Sequence, residues 1–393
     1  MPVLIVGAGP VGLVAAIRLR EQGVDVRIID EQAVDSKRTY PVLLHARTLR
    51  TLTSIGVTAP LEWRGRAITH LAVYTDGQRR SVLDLPPAGE MSPGAMTLPQ
   101  DVLRQSLTTR LSELGTDVEW KTRLAGLDQD AARVSACIIR RERVEGARPS
   151  LTPEWRDVAA ESIDVEFLVG ADGCKSSVRQ KLGVEFVAKG GRQMYAFYDA
   201  PDARAGNEAH LVLVSGTANS VYPLQSDASR FTFELAIGTS HAPGLVQLRQ
   251  LLESRMPWYA AQANGFEWSG SAEFHPGLAE RFGEGKVWLA GDAAHSTSPL
   301  GGQSLNVGIH EADDLACRIV EQRNSVALRS LGPSYTQQRL FEWQRLFGLG
   351  SSSPRASRAQ DWIKRHITSL LPSLPASGDD LDDLLEQLHI RSA

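Results

Sequence analysis

The stretch "VLIVGAGPVGLVAAIRLREQGVDVRIID", residues 3–30, decides the fold. Val3 to Val6 is a short apolar run of the kind that forms a strand buried on both faces. Gly7, Gly9 and Gly12 follow in the spacing G-x-G-x-x-G, with Pro10 and Val11 between the last two. The first glycine permits a tight turn. The second lets backbone approach a pyrophosphate, and the third lets a helix pack close to a strand. Residues 11–22 read as a helix stopped by Gly23, and Val24, Val26, Ile28 and Ile29 predict the next strand. Asp30 closes that strand, where a carboxylate can bond a ribose hydroxyl, and Glu31 follows it. Strand, glycine turn, helix, strand and acid together predict dinucleotide binding, with phosphates on the helix N-terminus. The motif does not separate FAD from NAD.

Two later stretches end strands in a similar way. "FLVGADGCKSSVRQKLG", 167–183, is a strand ending in Gly-Ala-Asp-Gly before a helical segment. "LAGDAAHSTSPLGGQSLN", 289–306, follows the apolar run from 287 and turns at Gly291-Asp292. The Asp292 carboxylate leaves that strand where it could accept bonds from sugar-like hydroxyls. Pro299, Gly301 and Gly302 then precede Leu305, Ile309, Ala312, Ala316 and Ile319, whose spacing is that of a buried helix face. The glycines therefore sit at a helix N-terminus, a place that stabilises negative charge.

Composition bounds the rest. The chain has 393 residues, 42% hydrophobic and 22% charged, an ordinary globular profile for two domains or one domain with an inserted lobe. Net charge is −4, so nothing argues for nucleic acid. Cys137, Cys174 and Cys317 form no CxxC and no zinc spacing, which predicts a reducing cytoplasm and no metal. No apolar run is long enough to span a bilayer, and the N-terminus reads as a first strand rather than a signal peptide. Residues 68–98 alternate like an antiparallel meander, 99–115 read helical, and 117–141 alternate like strands. "EGARPSLTPEWRD", 145–157, reads as a polar hairpin tip, and 185–280 is rich in strand-like pieces. From 351 we expect a loop, a helical segment near 360–371, and a loosely docked acidic helix in "GDDLDDLLEQL".

The three motifs, in this order and at these separations, resemble the FAD-dependent aromatic hydroxylases, single-component flavoprotein monooxygenases similar to para-hydroxybenzoate hydroxylase. The resemblance extends to "LHARTLRTLTSIG" (44–56) and "LPQDVLRQSL" (98–107). It implies an α/β fold: an FAD-binding Rossmann-like domain of GR2 type, an interleaved antiparallel β-sheet substrate domain, and C-terminal helices. The expected division is 1–67, 97–183 and 281–350 for FAD, 68–96 and 184–280 for substrate, and 351–393 as a helical tail. Gly7, Gly9, Pro10, Val11 and Gly12 would cradle the FAD pyrophosphate, with Asp30 and Glu31 beside the adenosine ribose. Arg47 would contact the diphosphate and Gln100 the ribityl chain. Asp172 would serve both FAD and nicotinamide, and Asp292 the ribityl or diphosphate region. Gly301 and Gly302 would offer backbone N–H groups to the flavin N1–O2 edge, followed by Gln303, Ser304, Leu305 and Asn306. Departures from the family pattern are Ser304 for Gly, Glu31 for Arg, and Tyr40-Pro41 for Pro-Arg.

The implied chemistry is reduction of FAD by NADPH or NADH, oxygen addition at flavin C4a as a hydroperoxide, and OH transfer to an aromatic, phenolic or polyketide-like substrate. A monomer or homodimer is expected. Candidates to assist catalysis are Pro299, Gly301, Gly302 and Tyr222, with Tyr195, Tyr198 and His210 also in the strand-rich lobe. Phe197, Phe231, Phe233 and Phe274 are candidate pocket aromatics, although aromatics in strands are more often core. His295 is expected to support the turn after Asp292 by hydrogen bonding. Arg230 and Arg281 could hold an anionic substrate. Other classes are an NAD-dependent dehydrogenase, which leaves Gly291-Asp292 unexplained, a flavin halogenase or isoprenoid-type reductase, an FAD-dependent oxidase, and a flavoprotein that binds FAD without turnover.

Overall fold

The computed structural model describes residues 1–33, 41–57, 64–89, 94–144, 155–225, 227–239, 244–260, 264–324, 332–349 and 359–390. Its first layer is a six-stranded sheet in the order Gly283–Glu284, Val287–Leu289, Phe167–Gly170, Val3–Val6, Val26–Asp30 and Val118–Trp120. All pairs are parallel except the short edge pair Gly283–Glu284 with Val287–Leu289. The central strands are wholly buried, which is why they read as unbroken apolar runs. The helices Pro10–Glu21 and Gln303–Asn324 pack together on this sheet. Leu13, Ala16 and Ile17 of the first are buried, and so is the anticipated face of the second, Ile309, Ala312, Ala316 and Ile319, with Leu305 half-buried.

The second layer is a seven-stranded sheet: Trp268–Phe274, Gln193–Pro201, Ala228–Leu235, Thr217–Pro223, Glu208–Val214, His70–Thr75 and Gln78–Asp84. Its strands alternate, so one face joins the main core and the other a separate core with the helices Leu245–Arg255 and Pro257–Ala260. The antiparallel expectation for 68–98 holds for His70–Thr75 with Gln78–Asp84, but His70–Thr75 also pairs in parallel with Glu208–Val214. Ala95–Pro99 leaves that sheet and pairs with Pro41–His45 and Arg66–Ile68. Thr122–Gln129, Val134–Arg143 and Trp155–Val165 form a three-stranded antiparallel sheet. The hairpin tip before residue 155, the loop at 351–358 and Tyr40 lie outside the described residues.

The C-terminal segment corrects the sequence reading. Helices form at Asp361–Leu370 and Asp379–Gln387, but the acidic one is firmly docked. Leu381, Leu384, Leu385 and Leu388 are buried at the i, i+3, i+4, i+7 spacing of one helix face. Asp380 accepts both oxygens' worth of hydrogen bonds from Arg50 at 2.7 and 2.8 Å, and the Gln387 side chain bonds the Asp84 backbone in both directions. The acidic charge is thus partly neutralised by the body of the protein.

Candidate cofactor site

Strand register brings the motifs together. Val6 lies opposite Gly170 and Ile29, and Gly170 lies opposite Leu289. The residues that follow, Gly7, Asp30, Ala171-Asp172 and Ala290-Gly291, therefore leave the sheet along one carboxyl edge, the place where open α/β sheets bind ligands. Gly7 adopts φ 107° and donates its N–H to Ile29 at 2.8 Å; a Cβ here would sit 2.2 Å from the Ala171 carbonyl oxygen. A Cβ on Gly12 would sit 1.9 Å from the Gly7 carbonyl oxygen. Gly9 differs: a Cβ would meet nothing within 4 Å. Gly9 also caps the helix Pro10–Glu21, whose first N–H groups have no side-chain cap. Asp30 ties the loop down, accepting the Ala8 N–H and the Gln32 N–H, each at 2.8 Å. A carboxylate has about four lone-pair sites, so capacity remains for a hydroxyl. Glu31 is exposed and pairs with Arg141.

The Gly291-Asp292 turn is held from behind. Gly291 has φ 65°, and a Cβ on it would press on Val11 at 2.9 Å; Gly308 is similarly close to Gly291 and Val11. Here the early loop, the late turn and the long helix meet. Glu311, fully buried, accepts the Gly291 N–H at 2.8 Å, bonds His295 Nε2 at 2.8 Å and accepts Trp343 Nε1–H at 2.8 Å. Trp343 also stacks on His295 at 3.9 Å between ring centres. His295 thus supports the turn as anticipated, through Glu311, which the sequence did not single out. Burial would raise the Glu311 carboxyl, but His295, Arg339 and the Trp343 N–H outweigh it and hold its pKa below the usual carboxylate range. Asp292 is exposed while Gly291, Ala293, Ala294 and His295 around it are buried. Its carboxyl stands in a recess, where crowding by protein raises its pKa, opposed by His295 and reinforced by Glu311.

Other anticipated residues have definite partners. Asp172 caps its own short helix, accepting Ser177 N–H at 2.7 Å, Ser177 hydroxyl at 2.9 Å and Val178 N–H at 3.2 Å. Arg179 then joins that loop to the late turn by donating to Ala293 O at 2.7 Å and Cys174 O at 2.8 Å. Arg47 pairs with Glu342 at 3.4 Å and packs under Gly378, which ties its helix to the C-terminal part. Gln100 is half-buried at the first turn of the helix Gln100–Glu113.

The Pro299–Gly302 loop lies against the C-terminal segment. A Cβ on Gly301 would lie 2.4 Å from Pro372 O, so the C-terminal segment, rather than an open edge, requires this glycine. Gln303 is buried and its Nε2 donates to Leu374 O and Ala376 O at 2.6 and 2.9 Å. Ser304 accepts the Thr297 N–H at 3.2 Å. Asn306 accepts His45 N–H at 2.8 Å and donates to Leu43 O and Gly302 O. His45 Nε2 bonds Gly301 O at 2.7 Å, and burial lowers the His45 pKa to about 4, so it is neutral and donates from Nε2. Gly302 (φ 65°) is half-buried, as are Pro299 and Leu305.

In the lobe, alternation sorts the candidates. Tyr195, Phe197 and Tyr222 share the face of the main core, packed with Phe274. The Tyr195 hydroxyl lies beside Ser298, next to Pro299. Tyr198, Phe231 and Phe233 belong to the opposite face. His210 is there too, bonded to Glu208 and Tyr259, and the Tyr198 hydroxyl donates to Gln247 at 3.0 Å. Arg281 pairs with Glu280 and Glu284 at the surface.

Residues 1–347 match the FAD binding domain family, and the chain belongs to that family. It is 27% identical over 350 residues to 6-methylpretetramide 4-monooxygenase of Streptomyces rimosus, covering 86% of this chain and 59% of that protein. It is 27% identical over 349 residues to pentachlorophenol 4-monooxygenase of Sphingobium chlorophenolicum, covering 86% of this chain and 61% of that protein. The chain thus spans about three-fifths of the length of these curated relatives. In fold it is similar to Pseudomonas aeruginosa PqsL in complex with 2-aminobenzoylacetate, with a TM-score of 0.71 at 20% identity over 99% of each chain. FAD is the cofactor of the family, and the residues fit it: Gly9 leaves space before an uncapped helix N-terminus, and Asp292 presents an exposed carboxyl in a recess. No helix among the described residues is long and apolar enough to cross a membrane.

Proposed function

We propose that the chain is a single-component FAD-dependent monooxygenase that uses NADPH or NADH and O2 to hydroxylate an aromatic, phenolic or polyketide-like small molecule. The observation that carries this reading is the convergence of Gly7–Gly12, Asp172 and Asp292 on one carboxyl edge, in a chain of the FAD binding domain family. The monooxygenase names of its relatives support it. Bound flavin would take up a hydride and activate oxygen. The chain's own residues would bind, orient and exclude water. Backbone N–H groups of Gly9, Val11 and Gly12 would face the phosphates, Asp30 the adenosine ribose, and Asp292 a hydroxyl or the diphosphate from the opposite side. The residues around the six-stranded sheet would form the FAD part, and the main-core face of the seven-stranded sheet would cover the substrate. The three free cysteines suit a cytoplasmic enzyme.

Purified protein should carry FAD, and a cognate aromatic should accelerate NADPH oxidation and leave with one oxygen atom from labelled O2. A substrate oxidised without label would make this an oxidase or dehydrogenase on the same fold. Asp292→Ala should weaken FAD binding roughly ten- to a hundredfold, the effect of losing about 1.5–3 kcal/mol of charged hydrogen bonding. Titration of the apoprotein with FAD checks this, and an unchanged constant would leave Asp292 with only a role in the turn.

A further inference from the structure

We propose, resting on the monooxygenase reading, that this protein selects a neutral aromatic substrate bearing hydroxyl or carbonyl groups and rejects aromatic carboxylates, with the Asp199–Arg230 pair setting that choice. The argument starts from register. On the main-core face, Asp199 lies opposite Arg230, which lies opposite Tyr222; one row along, Phe197, Thr232 and Ser220 stand side by side. Tyr195, on the same face, has its hydroxyl beside Ser298, which precedes the Pro299–Gly302 loop, so this face looks onto that loop.

Across the strands Gln193–Pro201, Ala228–Leu235 and Thr217–Pro223, the only cation on this face is Arg230. It is not available to an anion. Its Nε and Nη2 both donate to Asp199, each at 2.7 Å, and the two side chains are only 9% and 15% exposed. The guanidinium also lies over the Trp268 ring at 4.8 Å. A bidentate fork whose charge is matched and whose face is stacked has little left for a second carboxylate. An incoming carboxylate would meet Asp199 and also Glu234, on the same face beside Tyr195. The sequence alone suggested Arg230 as an anion site; its partner reverses that reading.

What the face does offer is neutral. The Tyr222 and Ser220 hydroxyls are buried and have no hydrogen-bond partner. Burial raises the Tyr222 pKa, so it stays a phenol that can donate or accept. Two such hydroxyls two residues apart on one strand face can give and accept hydrogen bonds with a ligand's hydroxyl or carbonyl groups. Hydroxyl and carbonyl oxygens on an aromatic frame match this set, and the flanking Phe197 and Phe274 match the ring.

The test uses FAD-loaded protein and two probes that differ by one carboxylate, 2-naphthol and 6-hydroxy-2-naphthoate, titrated at neutral pH while the flavin absorbance is followed. We expect 2-naphthol to bind the wild type at least about tenfold more tightly, since juxtaposed like charges are strongly penalised. Asp199→Asn should shift the preference toward the naphthoate by about tenfold or more, because it frees the Arg230 charge. Tyr222→Phe should weaken 2-naphthol several-fold while FAD stays bound. Equal or tighter binding of the naphthoate by the wild type overturns the proposal, as does no response to either probe. An unchanged ratio in an FAD-loaded Asp199→Asn protein also overturns it; if that variant does not hold FAD, the wild-type pair and Tyr222→Phe decide. Binding is read without turnover, so the two readings fail separately. Probes bound in the expected order with no oxygen incorporated into any substrate defeat the monooxygenase alone. Labelled hydroxylation of aromatic acids in preference to phenols defeats this inference alone.

Discussion

Glu311→Ala is expected to give a protein that melts well below the wild type and binds FAD poorly, although Glu311 lies behind the turn. The substitution removes the shared acceptor of three buried donors: the Gly291 N–H, the His295 ring and the Trp343 indole. Nothing else among their described contacts replaces it, and breaking a buried charged pair from one side costs about 3–5 kcal/mol. For a chain of this size the melting temperature should fall by about 4–6 °C. Because Gly291 positions Asp292, the FAD dissociation constant should also rise, by more than about tenfold. Calorimetry of the apoprotein and FAD titration read the two effects independently. A variant that melts with the wild type would show that the network contributes no net stability. The pH dependence has a definite sign. The Glu311 pKa is depressed in the fold. Its contribution is therefore present above the ordinary carboxylate value of about 4.3 and is lost as pH falls through the lower folded value. Wild type should lose stability in acid by more than Glu311→Ala does.

Why Glu311 escaped the sequence reading, when Asp292 did not, is instructive. Asp292 sits in a local pattern: an apolar strand, a glycine, then the acid. Glu311 lies in the long helix between His310 and Ala312, where a charged residue ordinarily marks the solvent face. Its burial follows from Trp343, thirty-two residues on, which no periodicity connects to it. The same holds for the C-terminal segment. "GDDLDDLLEQL" reads as solvated acid until Arg50 and the Asp84 backbone are brought to it by the fold. Gly301 is pressed by the backbone of residues 372–374, a contact across seventy residues that no local pattern reveals. Motifs confined to one turn and its flanking strands were legible because their chemistry is local. Tyr198 and His210 lie on the sheet face opposite Tyr195 and Tyr222; a strand has two faces, and the sequence does not say which one meets the Pro299–Gly302 loop.

The glycine loop offers the sharpest separation of fold from cofactor binding. Gly12→Ala should damage the fold itself. Its methyl would start 1.9 Å from the Gly7 carbonyl oxygen, and Gly7 cannot retreat because its N–H is fixed to Ile29 and its other side faces Ala171 O. A buried backbone clash of this kind exceeds the usual overpacking cost of about 1–3 kcal/mol, so the apoprotein should melt early and take up no FAD. Gly9→Ala should behave in the opposite way. Its backbone has φ −71° and ψ 173°, open to any residue, and its methyl would meet no protein atom within 4 Å. The apoprotein should therefore keep its stability within about 0.5 kcal/mol. The methyl would nonetheless stand before the uncapped helix N-terminus, where the pyrophosphate approaches, and FAD affinity should fall about ten- to a hundredfold. Melting curves of the two apoproteins, followed by FAD titration, make the comparison. Wild-type affinity in Gly9→Ala would mean that the phosphates do not lie against this glycine and that the loop serves only to turn the chain.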